Sequence, residues 1–186
     1  MVSELRIYFE GDVRLRSGFR KFLFEIAEVA RSRRCHLDVI AADGTPVQDF
    51  RDALRTHPNA WNVLLLDSDS EFKGSHEDLC RSKGLDPTLR QSIFWMVQVM
   101  ESWFLADLDA FKECFDRFDR AALKGNPKVE EIPKRDVLER LKKATNGKYH
   151  KVTHGTKLLS LIDPSKVREA APNCDRMFRL ILAELS

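Results

Sequence analysis

The residues best suited to chemistry are four acids, each of which closes or interrupts an apolar run. Asp67 and Asp69 end the stretch NVLLLDSDS, Glu10 ends LRIYFE, and Glu101 stands inside the otherwise apolar VMESWFLAD. In a parallel α/β sheet every strand C-terminus opens on one edge. If the first and third strands are neighbours, Glu10, Asp67 and Asp69 therefore meet there. At a separation of about 4 Å and an effective dielectric near 20, each like-charged pair costs about 4 kcal/mol, so a cation is expected among them. Hard oxygen ligands suit Mg²⁺ or Mn²⁺, with Glu101 as a fourth ligand. Plainer readings exist for each acid. An Asx turn would use Asp67 or Asp69, a turn after Gly11 would use Asp12, and a helix first turn would favour Glu101.

The elements needed to position these acids are legible in the periodicity. LRIYFEG reads as a strand stopping at Gly11. From Gly18, apolar Phe19, Phe22, Leu23, Ile26, Ala27 and Ala30 recur at helical spacing. His36–Ala42 is a second strand, and TPVQDFRDALRTH a helix with Thr45 as N-cap and Pro46 at its first position. NVLLLD is a third strand. The βαβαβ alternation predicts a mainly parallel, four-stranded sheet flanked by helices. A long loop follows from Ser68 to Arg90, marked by Gly74, Gly84 and Pro87, with a helical turn at HEDLCRSKG. QSIFWMVQV reads as the fourth strand, passing directly into a helix over MESWFLADLDAFKECF. Shorter helices are expected at Lys134–Ala144, Thr156–Leu161, after Pro164, and over Asn173–Leu185.

The 186 residues, 43% of them hydrophobic, suffice for one sizeable core with an appendage. Four scattered cysteines without a CxxC pair argue against zinc ribbons and a disulfide framework, and fit reduced thiols in a cytoplasm. The N-terminus meets charge too early for a signal peptide, and no apolar run approaches the roughly 18 residues of a membrane span. Net charge is only +2, yet residues 120–186 hold 15 Lys+Arg against 8 Asp+Glu, whereas residues 1–119 hold 16 against 21. This divides the chain into an acidic α/β core, 1–119, and a basic helical C-terminal extension, 120–186, packed on it. The basic excess is either a solvated helical face or a nucleic-acid surface.

Glu-Gly in IYFEGD followed by Asp-x-Asp in VLLLDSDS resembles the Toprim domain of topoisomerases, bacterial primases, small maturation ribonucleases, recombination mediators and overcoming-lysogenization-defect nucleases. The likeness spans about Leu5 to Asp107. It implies Glu10 as metal ligand or general base, Asp67 and Asp69 as metal ligands, and, through MESWFLAD, Glu101. The acid after the first glycine usually stands further on than Asp12. The whole chain, with MVQVMESWFLAD, IPKRDVLERLKKAT and YHKVTHG, is similar to a bacterial family of unknown function with a Toprim-like fold. Some of its members sit beside an AAA-type ATPase in phage-defence neighbourhoods.

The resemblance implies a Mg²⁺- or Mn²⁺-dependent phosphoryl-transfer enzyme on DNA or RNA, a nuclease. KYHKVTHG brings Tyr149, His150, Lys151 and His154 close together, and Arg14 and Arg16 flank the first motif. Lys151 or His154 beside a phosphate would stabilise charge or protonate the leaving oxygen, unless they are ordinary surface groups. A topoisomerase would need a tyrosine nucleophile on a separate domain, and primases and mediators bring zinc cysteines that are missing here. Two other classes remain open. One is a non-catalytic subunit that binds nucleic acid or docks on an ATPase; the other is a phosphatase or nucleotide hydrolase using the same metals.

Overall fold

The computed structural model describes residues 2–42, 44–70, 75–124 and 127–186; the expected loop glycine Gly74 lies outside them. Strand β1 (Glu4–Glu10) leads into α1 (Arg16–Phe22) and α2 (Phe24–Ser32). Then follow β2 (His36–Ala42), α3 (Pro46–Thr56), β3 (Trp61–Asp67), α4 (His76–Ser82) and β4 (Ile93–Met96). The remainder is helical: α5 (Ala110–Cys114), α6 (Arg120–Leu123), α7 (Lys134–Ala144), α8 (Thr153–Leu161), α9 (Pro164–Ala170) and α10 (Pro172–Leu185). The four strands form one all-parallel sheet in the order β2-β1-β3-β4. The fold is α/β, with helices on both faces.

Alternation along the strands divides the core. Leu5, Ile7, Phe9, Val63, Leu65, Phe94 and Met96 face a large apolar layer that includes Phe19, Phe22, Leu158, Leu159, Phe178 and Ile181. Tyr8, Leu64, Leu66, Ile93 and Trp95 face a smaller layer with Phe50, Ala53 and Cys80. Helices from residue 120 onward thus share the layer that covers β1 and β3, with α8 against α1 and α10 against α2 and β4.

Three local expectations are revised. Thr45 occupies the N-cap position of α3, but its hydroxyl donates to Asp49 Oδ1 (3.2 Å) rather than capping the helix. The fourth strand is shorter than QSIFWMVQV. The expected continuous helix after it is a 3₁₀ segment, Met100–Ala106, followed by the separate α5. Met100 through Leu105 are all buried, so this segment has no polar face to present to water and coils tightly within the core. Asp107 ends it. Its carboxylate accepts from Asp163 N (3.0 Å) and Lys166 Nζ (2.6 Å), which ties the break to the start of α9.

An arginine meets an outward carbonyl on each edge strand. On β2, Arg16 Nε donates to the outward carbonyl of Val39 (2.7 Å). On β4, Arg176 donates to the carbonyl of Ile93 (3.5 Å) and stacks on Phe94, and it also donates to the carbonyl of Arg90, which precedes the strand.

Gly18 marks a close approach of α1 to α8. A Cβ there would stand 2.7 Å from Thr156 O and 2.8 Å from Leu159 Cβ. Gly18→Ala is expected to push α1 from α8, cost about 1–3 kcal/mol and lower Tm by about 5 °C. A thermal melt equal to that of the wild type would refute this close packing.

Candidate functional site

β1 and β3 are neighbours, and Phe9 pairs with Leu65 in register. Glu10 therefore lies level with Leu66, one rung before Asp67. The chain leaves the ladder at Gly11, whose φ of +144° and 2.9 Å approach to Leu15 would strain any side chain. With no further β1 carbonyl in line, Glu10 Oε2 accepts the Asp67 N–H (3.0 Å).

Asp67 points to the larger layer and is 6% exposed. Its Oδ1 accepts the Met100 N–H (2.8 Å), and its Oδ2 lies 3.9 Å from Lys151 Nζ. Glu101 is 1% exposed, and its Oε1 lies 3.8 Å from the same ammonium and accepts from Tyr149 Oη (3.4 Å). Among the described residues its Oε2 has no hydrogen-bond partner. Burial, followed by the negative fields of Glu101 and Glu10, pushes the Asp67 carboxyl up to about 7 against the pull of Lys151. Burial and Glu101 push the Tyr149 hydroxyl well above its usual range, so it remains a donor.

The structure thus brings Glu10, Asp67 and Glu101 together with Lys151. Asp69 stands apart. It follows the strand in a left-handed conformation (φ +59°), and its carboxylate is held by Lys83 (2.6 Å) and Lys134 (2.6 Å). Burial opposes these two bonds, but they outweigh it and lower the carboxyl's pKa. His154 is also set apart. Its ring stacks on Phe115 at 4.6 Å, its Nδ1 accepts the His150 N–H, and Tyr149 lies between it and Glu101. Arg14 pairs with Asp12, and Arg16 is turned to Val39.

Sequence reasoning did not assign roles to Lys83, Lys134 or Gln98. Gln98 O accepts the Asp69 N–H and its Oε1 accepts the Lys134 N–H, which joins the end of the sheet to the start of α7. Of five buried side-chain polar atoms without a partner among the described residues, four lie in the Gln98–Trp103 hexapeptide: Gln98 Nε2, Glu101 Oε2, Ser102 Oγ and Trp103 Nε1. Such groups are few in folded proteins, and here they concentrate beside the acid cluster.

The donor set suits a hard divalent cation in type and charge. Two buried carboxylates flank the Lys151 ammonium, Glu10 stands on the Asp67 amide beside them, and among the described residues Glu101 Oε2 has no hydrogen-bond partner. Among the described residues, no three acids, histidines or cysteines stand at ligating distance around a single point. The half-exposed Lys151 instead lies between Asp67 and Glu101, beyond hydrogen-bond distance of either.

A family model described as a domain of unknown function, DUF4276, matches residues 14–181. The chain belongs to this family. Asp67, Asp69, Glu101, Lys151 and His154 lie within the matched residues of the DUF4276 chain, whereas Glu10 precedes them. Searches of curated proteins and of solved structures find no match.

The raised Asp67 carboxyl has a stability consequence. Between the unfolded value of 3.8 and about 7, the folded protein keeps a proton that the unfolded chain releases, so stability falls as pH rises through this window and then levels off. In EDTA, Asp67→Asn is expected to be more stable than wild type above about pH 7, by about 2 kcal/mol or more, with the gap closing toward pH 4. Parallel melts across pH test this; an equal gap at both ends would contradict it.

Proposed function

We propose that this DUF4276 chain is a Toprim-like, Mg²⁺- or Mn²⁺-dependent phosphoryl-transfer enzyme that cleaves nucleic acid. The observation carrying this reading is the convergence of the buried Asp67 and Glu101 with the half-buried Glu10 at the C-terminal edge of a parallel sheet, with Lys151 set between Asp67 and Glu101. The adjacency of β1 and β3, with a Glu-Gly ending one and an Asp the other, also supports the Toprim comparison.

When bound, the cation supplies Lewis acidity, polarising a phosphodiester and making water a competent nucleophile. Asp67 and Glu101 would hold it, with Glu10 completing the set from the neighbouring strand. Glu10 is fixed through the Asp67 amide and Asp67 through the Met100 amide, so both carboxylates are oriented before any ligand arrives. Lys151, on a half-exposed side chain, can exchange the two carboxylates for a non-bridging phosphate oxygen and balance charge there. Tyr149 donates to Glu101 and keeps water from that side. Asp69 serves the site through Lys83 and Lys134 rather than as a ligand.

A second reading is a non-catalytic subunit that binds nucleic acid or docks on an AAA-type ATPase in phage defence. The pairing of Asp69 with two lysines and the lack of a preformed ligating triad among the described residues favour it. Among the described residues no helix is long and apolar enough to cross a membrane. The four free cysteines fit the reducing cytoplasm we assign to it.

Two outcomes test the first reading. Purified protein with Mn²⁺ should cleave DNA or RNA, and Asp67→Asn should lose at least about 100-fold of that rate. Mn²⁺ should also raise the wild-type Tm above pH 7, but not that of Asp67→Asn or Glu101→Gln. Cleavage that survives both EDTA and Asp67→Asn would exclude this site as its source.

A further inference from the structure

The charge asymmetry of the chain is largely answered internally. Lys134 pairs with Asp69, Lys151 faces Asp67, Lys166 pairs with Asp107, Arg168 with Glu25 and Arg120 with Asp109, each joining the basic back to the acidic front. Several exposed cations are left over, Lys124, Lys142 and Lys143 among them, and three others stand near one another. Arg117, Lys148 and Lys157 are exposed and have no carboxylate partner among the described residues.

Two of these three line one cavity. It measures about 480 Å³ and is bounded by Cys114, Phe115, Asp116, Arg117, Lys148 and His154. Lys157 is close enough for its charge to act on both Cys114 and His154. Asp116 is the single acid of the lining, so the cations around the cavity outnumber it. The floor is rigid, because His154 stacks on the buried Phe115 and its Nδ1 is taken by the His150 amide. The cavity adjoins the acid cluster. Tyr149 follows Lys148 in the chain, its ring lies 6.3 Å from that of His154, and its hydroxyl reaches Glu101.

Resting on the nuclease reading, we propose that this cavity is a phosphate subsite, which holds a phosphodiester of the nucleic-acid strand next to the one that reacts. Arg117 and Lys148 contact the phosphate, Lys157 adds to the field, and the Phe115–His154 stack forms the wall. A strand seated there passes over Tyr149 to Lys151. His154 accordingly belongs to strand binding, whereas Lys151 belongs to the reacting phosphate.

The test measures binding without chemistry. Fluorescein-labelled oligonucleotides of DNA and RNA, single-stranded and duplex, are titrated in EDTA at several salt concentrations. The protein is wild type, R117E/K148E, the milder R117Q/K148Q, or K21E/R33E as a charge-matched control on exposed residues elsewhere. R117E/K148E should weaken binding at least about 10-fold and reduce the log–log salt slope by about 2, R117Q/K148Q should shift both in the same direction, and K21E/R33E should change affinity less than about 2-fold. Equal weakening in the control, unchanged affinity in both cavity variants with native melts, or no binding by wild type overturns the subsite. Failure of the two readings is separable. Cleavage by wild type with unchanged binding in the cavity variants removes only the subsite. Cavity-dependent binding without cleavage under any metal removes only the nuclease.

Discussion

Repulsion between carboxylates that the sheet forces onto one edge is the constraint around which this molecule is built. Parallel pairing of β1 with β3 leaves no freedom to send Glu10 and Asp67 to opposite ends. The chain answers with directed dipoles and the Lys151 cation. The Asp67 amide turns toward Glu10, the Met100 amide turns toward Asp67, and the Lys151 ammonium rests between Asp67 and Glu101. The 3₁₀ coil after β4 follows from this, because it delivers the Met100 N–H and Glu101 together to a place that a straight extension of the strand would overshoot.

The helical third of the chain is part of the same solution. α7 begins where Gln98 receives the Lys134 amide, which sets the lysine against Asp69, and the turn before α8 supplies Tyr149 and Lys151. The two compositional halves are thus complementary in charge, and the boundary read from composition does not coincide with a break in packing. Several cations of the basic third, among them Lys134, Lys151 and Lys166, meet acids of the first part of the chain.

Much of the frame was legible in the order of residues, because it rests on local pattern. The second strand and α7 have their expected limits, and the first and third strands begin or end within a residue or so of them. Glu10 and Asp67 could be brought together in advance, since parallel topology alone fixes which strand ends share an edge. Asp69 was harder. Its fate depends on a left-handed backbone turn and on lysines that arrive from α4's end and α7's start, and neither partner is near it in the chain. The helix expected over Met100–Phe115 had the right spacing of apolar residues, but total burial and the pull of Lys166 on Asp107 override that periodicity. Tyr149 and His154 lie in one short motif, yet a single turn of backbone directs one toward Glu101 and the other onto Phe115.

The arginine caps on the outer strands bear on how this protein can assemble. An uncovered rim invites a foreign chain to hydrogen-bond alongside, which is the route to runaway stacking. Here Arg16 on one flank and Arg176 on the other already take up outward-pointing peptide oxygens, so a newcomer would first have to displace a charged fork. Growth of the sheet by an added strand is thereby disfavoured at these two rungs.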